Sequence, residues 1–152
     1  MISPEVLRRF SLFAGLDAEV FKSLAMTGEE ITVSAGEWLF REGAAADALY
    51  LIMDGAVDLK IDLNEAGTEQ ADLSSLVSGE VTGWSALVEP YVYTLGAVTT
   101  SDTCVARLDG AQLRALMEEQ PEVGYTLMHR VAQVIATRLT NLRVRFVSLI
   151  GK

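Results

Sequence analysis

Glycines at close intervals constrain this chain more than any other feature. Gly36-Glu37-Trp38-Leu39-Phe40-Arg41-Glu42-Gly43 runs on to Tyr50-Leu51-Ile52-Met53-Asp54-Gly55, and Gly79-Glu80-Val81-Thr82-Gly83-Trp84-Ser85-Ala86-Leu87 follows. Short β-branched and aromatic runs bounded this way read as an all-β roll with tight turns. Gly83 opens what looks like a short helix start with bare backbone amides. A cavity able to hold a small anion follows from that combination, and it points to sensing rather than catalysis.

The clearest strand is Val57-Asp58-Leu59-Lys60-Ile61-Asp62-Leu63, with one apolar and one charged face, as a half-buried antiparallel strand requires. Asn64 to Gly67 supplies a turn, and Ala71 to Val77 returns as its partner. Gly55 and Gly79 are turn positions where φ is expected to be positive. About eight such strands make a jelly roll or barrel. The expected division is a single domain over 1–152: a helical lead-in (1–28), a β-roll (29–109) and C-terminal helices (110–152). The lead-in reads as helical from Pro4 to Met26, with a break at Gly15 and Asp17 as N-cap of a second helix. Leu113, Leu116 and Met117 mark a short helix that Pro121 ends or restarts.

From about Pro121 to Leu149 the apolar positions Leu127, Val131, Ile135, Leu139, Leu142, Phe146 and Leu149 recur every three or four residues, forming one stripe. At ~1.5 Å per residue this helix is roughly 40 Å long, more than a small roll can cover. The overhanging stripe calls for a parallel homodimer through Val131, Ile135, Leu139, Leu142 and Phe146. The other reading is a helix folded back on its own domain.

With 152 residues, half of them hydrophobic, the chain is long enough for a sizeable core and is not disordered. It has no apolar run of membrane-spanning length and no signal-peptide order, and its single Cys104 fits a reducing compartment. A cytoplasmic protein without membrane attachment is expected. Net charge is −9, and all 21 acidic residues precede position 123. The tail carries Arg130, Arg138, Arg143, Arg145 and Lys152 with no acid, and reads as a solvated helix face. An acidic body repels nucleic acid, so no direct DNA binding is expected. One histidine, His129, is too few for a metal site of the usual barrel enzymes, and Cys104 has no partner group that would make it a nucleophile. No catalytic residue, no metal and no enzyme activity are expected.

On Gly36-Glu37, Glu42-Gly43, Tyr50, Gly55, Gly79-Glu80, Gly83 and Ala86-Leu87, in this order and spacing, the chain resembles the cyclic-nucleotide-binding domain of the Crp/Fnr-type regulators over nearly all of residues 8–149. The resemblance implies a β-roll with a long C-terminal dimerisation helix, and a pocket inside the roll whose short helix offers backbone amides to a cyclic phosphate. It places that phosphate-binding cassette at Gly83, with free amides on Trp84, Ser85 and Ala86. The family's glutamate for the ribose hydroxyl is replaced by Trp84. Its phosphate-binding arginine falls on Tyr93, or on Val92 in a register shifted by one. Thr94 matches a hydroxyl that contacts phosphate, and Arg138 with Leu139 lies where the family contacts the base. A hydrogen bond to a charged group is worth about 1.5–3 kcal/mol, so the missing arginine weakens phosphate binding about 10- to 100-fold.

The expected ligand-binding set is therefore Gly83, Trp84, Ser85, Ala86, Val92, Tyr93, Thr94 and Arg138. The ligand is a cyclic nucleotide or another small anion, atypical for cyclic AMP. Three alternatives stay open. Arg130 or Arg138 replaces the lost cation. Trp84, Tyr91 and Tyr93 stack on a flatter ligand. Or Trp84 fills the pocket, leaving a ligand-free dimeric interaction module. Because the sequence stops soon after the long helix, no helix-turn-helix is expected, and the reading is a stand-alone sensor that signals to a protein partner.

Overall fold

The computed structural model describes residues 1–151, so Lys152 of the basic tail lies outside the described residues. The chain opens with α1 (Pro4–Leu7), a 3-10 turn (Ser11–Phe13) and α2 (Ala18–Met26). Gly15 breaks the lead-in with φ +82°, and a second interruption falls between α1 and the 3-10 turn. Asp17 caps α2, its carboxylate accepting from the Val20 amide at 3.0 Å.

Eight strands follow: β1 (Gly28–Val33), β2 (Trp38–Phe40), β3 (Ala48–Asp54), β4 (Ala56–Asp62), β5 (Gln70–Val77), β6 (Val81–Thr82), β7 (Gly96–Thr99) and β8 (Thr103–Asp109). They form two four-stranded sheets, in the orders β1-β8-β3-β6 and β2-β7-β4-β5, with every pairing antiparallel. This is the expected β-roll with flanking helices. Gly55 and Gly79 take φ +107° and +96°, as the turns demanded. The β4–β5 hairpin pairs in the expected sense but carries a register shift. Leu59 faces Ser74 and Lys60 faces Asp72, which leaves Leu73 as an extra residue in β5.

Two apolar cores explain the order of layers. Between the sheets lie Phe40, Tyr50, Ile52, Val57, Leu59, Leu76, Tyr93 and Val105. On the outer side of the first sheet, Leu49, Leu51, Ala106 and Leu108 pack against Phe13, Phe21, Leu24, Leu113 and Leu127 from the helices. Strand β3 serves both cores with alternate residues, which is why it reads as an unbroken apolar run.

After β8, Asp109 caps α3 (Gly110–Glu119) by accepting from the Gln112 amide at 2.9 Å, and Pro121 starts α4 (Pro121–Ile150). Gly124 lets α4 approach α3, since a Cβ there would sit 2.9 Å from the Met117 carbonyl oxygen. At 30 residues α4 is roughly 45 Å long.

The stripe expected to form one dimer seam divides in two. Val131 is 2% exposed within its own domain, and Ile135 is half-buried against the same helical core. Both are consumed by intrachain packing, because α4 lies against the lead-in for its first half. Leu142 turns toward the roll. Leu139 and Phe146 remain exposed, at 66% and 61%.

Candidate functional site

Gly83 sits at φ +87°, and a Cβ there would lie 2.9 Å from the Ala48 carbonyl oxygen, so only glycine fits. It opens a 3-10 turn of four residues, Trp84–Leu87. The Ala86 amide, expected to be free, donates to the Gly83 carbonyl at 3.0 Å. A 3-10 turn closes its first ring one residue sooner than an α-helix and so leaves fewer donors unpaired. The far end of the turn is tied down as well. Arg114 of α3 donates to the Ala86 carbonyl and lies 4.1 Å over the Tyr91 ring. Tyr91 itself holds φ +58°, unusual for a residue other than glycine.

Tyr93 occupies the position expected to match an arginine, and it is built into the roll. It is 3% exposed and stacks on Phe40 with ring centroids 3.9 Å apart. Its hydroxyl donates to the Ala48 carbonyl at 2.7 Å and accepts from the Ala48 amide at 3.2 Å. Burial pushes the phenol up to about 12, with the bond to the Ala48 backbone opposing that shift. Neighbouring Val92 and Thr94 are exposed. The space enclosed by Phe40, Thr82, Gly83, Trp84, Ser85, Tyr93 and Thr94 is only about 10 Å³, the room one water needs. Trp84, expected to fill the pocket in one alternative, is one of the residues that bound this small space. Phe40, Tyr50 and Tyr93 fill the roll, and Trp84 stands half-buried at its mouth.

The large opening lies beside the cassette, between the roll and α4. It holds about 700 Å³, with Leu59, Leu76, Val81, Trp84 and Leu95 on the roll side and Ile135, Arg138 and Leu142 on the helix side. Arg138 donates to the Val81 carbonyl through Nη2, and its guanidinium lies 4.7 Å over the Trp84 ring. Its other terminal nitrogen, Nη1, is buried with no acceptor among the described residues. Burial pulls Arg138 down to about 10, and the charge of Glu80 offsets part of that.

Of the expected set, Arg138 and Trp84 line the opening, and Arg138 is the one that carries charge. Arg130, the other candidate to replace the lost cation, is spent on the Ser11 and Leu12 carbonyls at 3.3 and 3.1 Å. Arg145 escaped the sequence reading. It lines the same opening and donates to the Leu73 carbonyl, on the extra residue of β5. The signal was present in the spacing, since 130, 138 and 145 fall on one helical face.

Each ring of the aromatic-platform alternative carries a packing partner. Trp84 carries Arg138 on its face, Tyr91 carries Arg114, and Tyr93 carries Phe40. Among the described residues, no three His, Cys, Asp or Glu side chains converge as a metal ion would need. No helix among them is long and apolar enough to cross a membrane.

Comparison with known proteins agrees with this architecture. A solved structure of a candidate cyclic nucleotide-binding protein from Geobacter metallireducens GS-15 superposes with TM-score 0.82 at 36% identity, covering 91% of this chain and 99% of that one. The catabolite activator protein of Thermus thermophilus superposes with TM-score 0.69 at 27% identity, covering 96% of this chain and 63% of that one. A CRP-like cAMP-activated global transcriptional regulator of Mycobacterium tuberculosis is 25% identical over 138 residues, which is 91% of this chain. The chain spans 61% of that regulator's length. The sequence profile of the cyclic nucleotide-binding domain matches residues 30–120, and the chain belongs to that family.

Proposed function

We propose that this regulatory domain is a small-ligand sensor, atypical for cyclic AMP, that takes its ligand in the cleft between the roll and α4 and signals through α4. The observation that carries the reading is the contrast in space: about 700 Å³ beside the cassette against about 10 Å³ within it. The cleft is of the size that holds small organic ligands. A cyclic phosphate seated in the usual way would have to displace Tyr93 from Phe40 and Ala48. It would then meet neither the family's arginine nor its glutamate. Entry of a ligand between the roll and α4 changes how α4 is seated, and a shift between two packed arrangements is the natural output.

The exposed seam on α4 supports pairing with a second copy. Ala132, Ala136, Leu139, Arg143, Phe146 and Ile150 are all exposed and succeed one another by three or four residues, the pattern of a two-stranded helical pair. Such an arrangement is a non-catalytic regulator acting on a protein partner.

Thermal unfolding of the full chain against cyclic nucleotides and organic anions tests the reading. A ligand at ~100 Kd adds about 2.7 kcal/mol. Stabilisation by at least one compound, lost in Leu142→Glu, is expected, with cyclic AMP silent at millimolar concentration. Strong stabilisation by cyclic AMP that survives Leu142→Glu would move the ligand back into the cassette and end this proposal.

A further inference from the structure

Resting on the cleft reading above, we infer that the ligand class is a singly charged organic anion with an aliphatic body, an acyl carboxylate, its head at Arg138 and its body along the leucines. The head is called for by Arg138, which lines the apolar opening while its Nη1 is buried without an acceptor among the described residues. A buried donor of this kind is costly to leave unmade. The acceptors that Arg138 and Arg145 already have are the neutral carbonyls of Val81 and Leu73. Carboxylate oxygens bind guanidinium more strongly than neutral acceptors do, so an entering carboxylate has something to gain at both. Charge agrees: Arg130, Arg138 and Arg145 line the cleft with Glu80 as the one acid among the described lining residues, in a chain of net charge −9.

The body is set by the walls. Trp84 is the one aromatic residue among the described lining residues, and Arg138 covers its face. With one face of that ring covered and no second aromatic among the described lining residues, a flat base cannot be sandwiched there. Leu59, Leu76, Leu95, Ile135 and Leu142 offer branched aliphatic surface instead. Beside the cassette a second anionic group has no seat, because the space there is only about 10 Å³, Arg130 is spent and Glu80 repels it.

The test is calorimetric titration of the full chain with decanoate, decanol and cyclic AMP. Decanoate is expected to bind saturably, one per chain, with decanol at least about tenfold weaker. Arg138→Gln should bring decanoate down to the level of decanol while leaving decanol unchanged, and Leu142→Glu should abolish both. If Arg138→Gln does not fold, the decanoate-to-decanol ratio on the unaltered chain decides. Equal binding of acid and alcohol, or no decanoate binding, overturns the inference. Cyclic AMP bound in place of decanoate, and lost in Leu142→Glu, overturns the ligand class and leaves the cleft as the site. Decanoate bound undiminished by Leu142→Glu overturns the cleft itself.

Discussion

Replacing Tyr93 by Phe removes one oxygen from the middle of the roll and leaves the stacking on Phe40 in place. The Ala48 amide and carbonyl then lose a buried partner, at a cost of about 1–2 kcal/mol near neutral pH. The phenol ionises near 10.0 when unfolded and near 12 when folded, so its contribution is complete below 10.0 and fades between the two values as pH rises. Urea unfolding of both proteins across that range should show the gap narrowing with pH. A constant gap would mean the hydroxyl is not held as described.

Gly55→Ala is expected to cost about 2 kcal/mol or more, measured the same way. A Cβ there would fall 2.5 Å from Thr103 Oγ1, at φ +107°. Residues of these two kinds differ in how far sequence reveals them. The need for glycine at 55 and 79 shows in turn chemistry alone. That Tyr93 points inward and ties Ala48 depends on contacts 45 residues away, which no local pattern encodes.

Among the elements, the short turn after Gly83 depends on α3. Arg114→Ala removes both the bond to the Ala86 carbonyl and the cover over Tyr91. Amide exchange in residues 84–93 should speed up by the equivalent of about 1.5–3 kcal/mol, while that of β3 and β8 stays slow. Uniform acceleration would show that Arg114 supports the whole domain instead. Strand alternation, the Asp17 cap and the restart at Pro121 were all legible because each is a local rule. The bulge at Leu73 was not, since one added residue in a strand of mixed polarity leaves no trace in the pattern. Arg145 was hidden with it, because its partner is the carbonyl that the bulge sets free.

For the whole molecule, the proposed pairing of two copies turns on the outer half of α4. Phe146→Glu is expected to give monomers in light scattering at concentrations where the unaltered chain is dimeric, without lowering its unfolding temperature by more than a few degrees. Dimers from both proteins would place the contact elsewhere, and monomers from both would overturn the pairing. Sequence periodicity revealed the stripe but not its division, because the lead-in that covers Val131 lies far away along the chain.

Arg143, in the midst of that exposed seam, has a consequence for the proposed pair. Parallel helices bring two guanidinium groups face to face across the axis, and like charges repel until counter-ions screen them. Sedimentation at low and high potassium chloride should therefore show tighter association in concentrated salt, the reverse of a contact held by opposite charges.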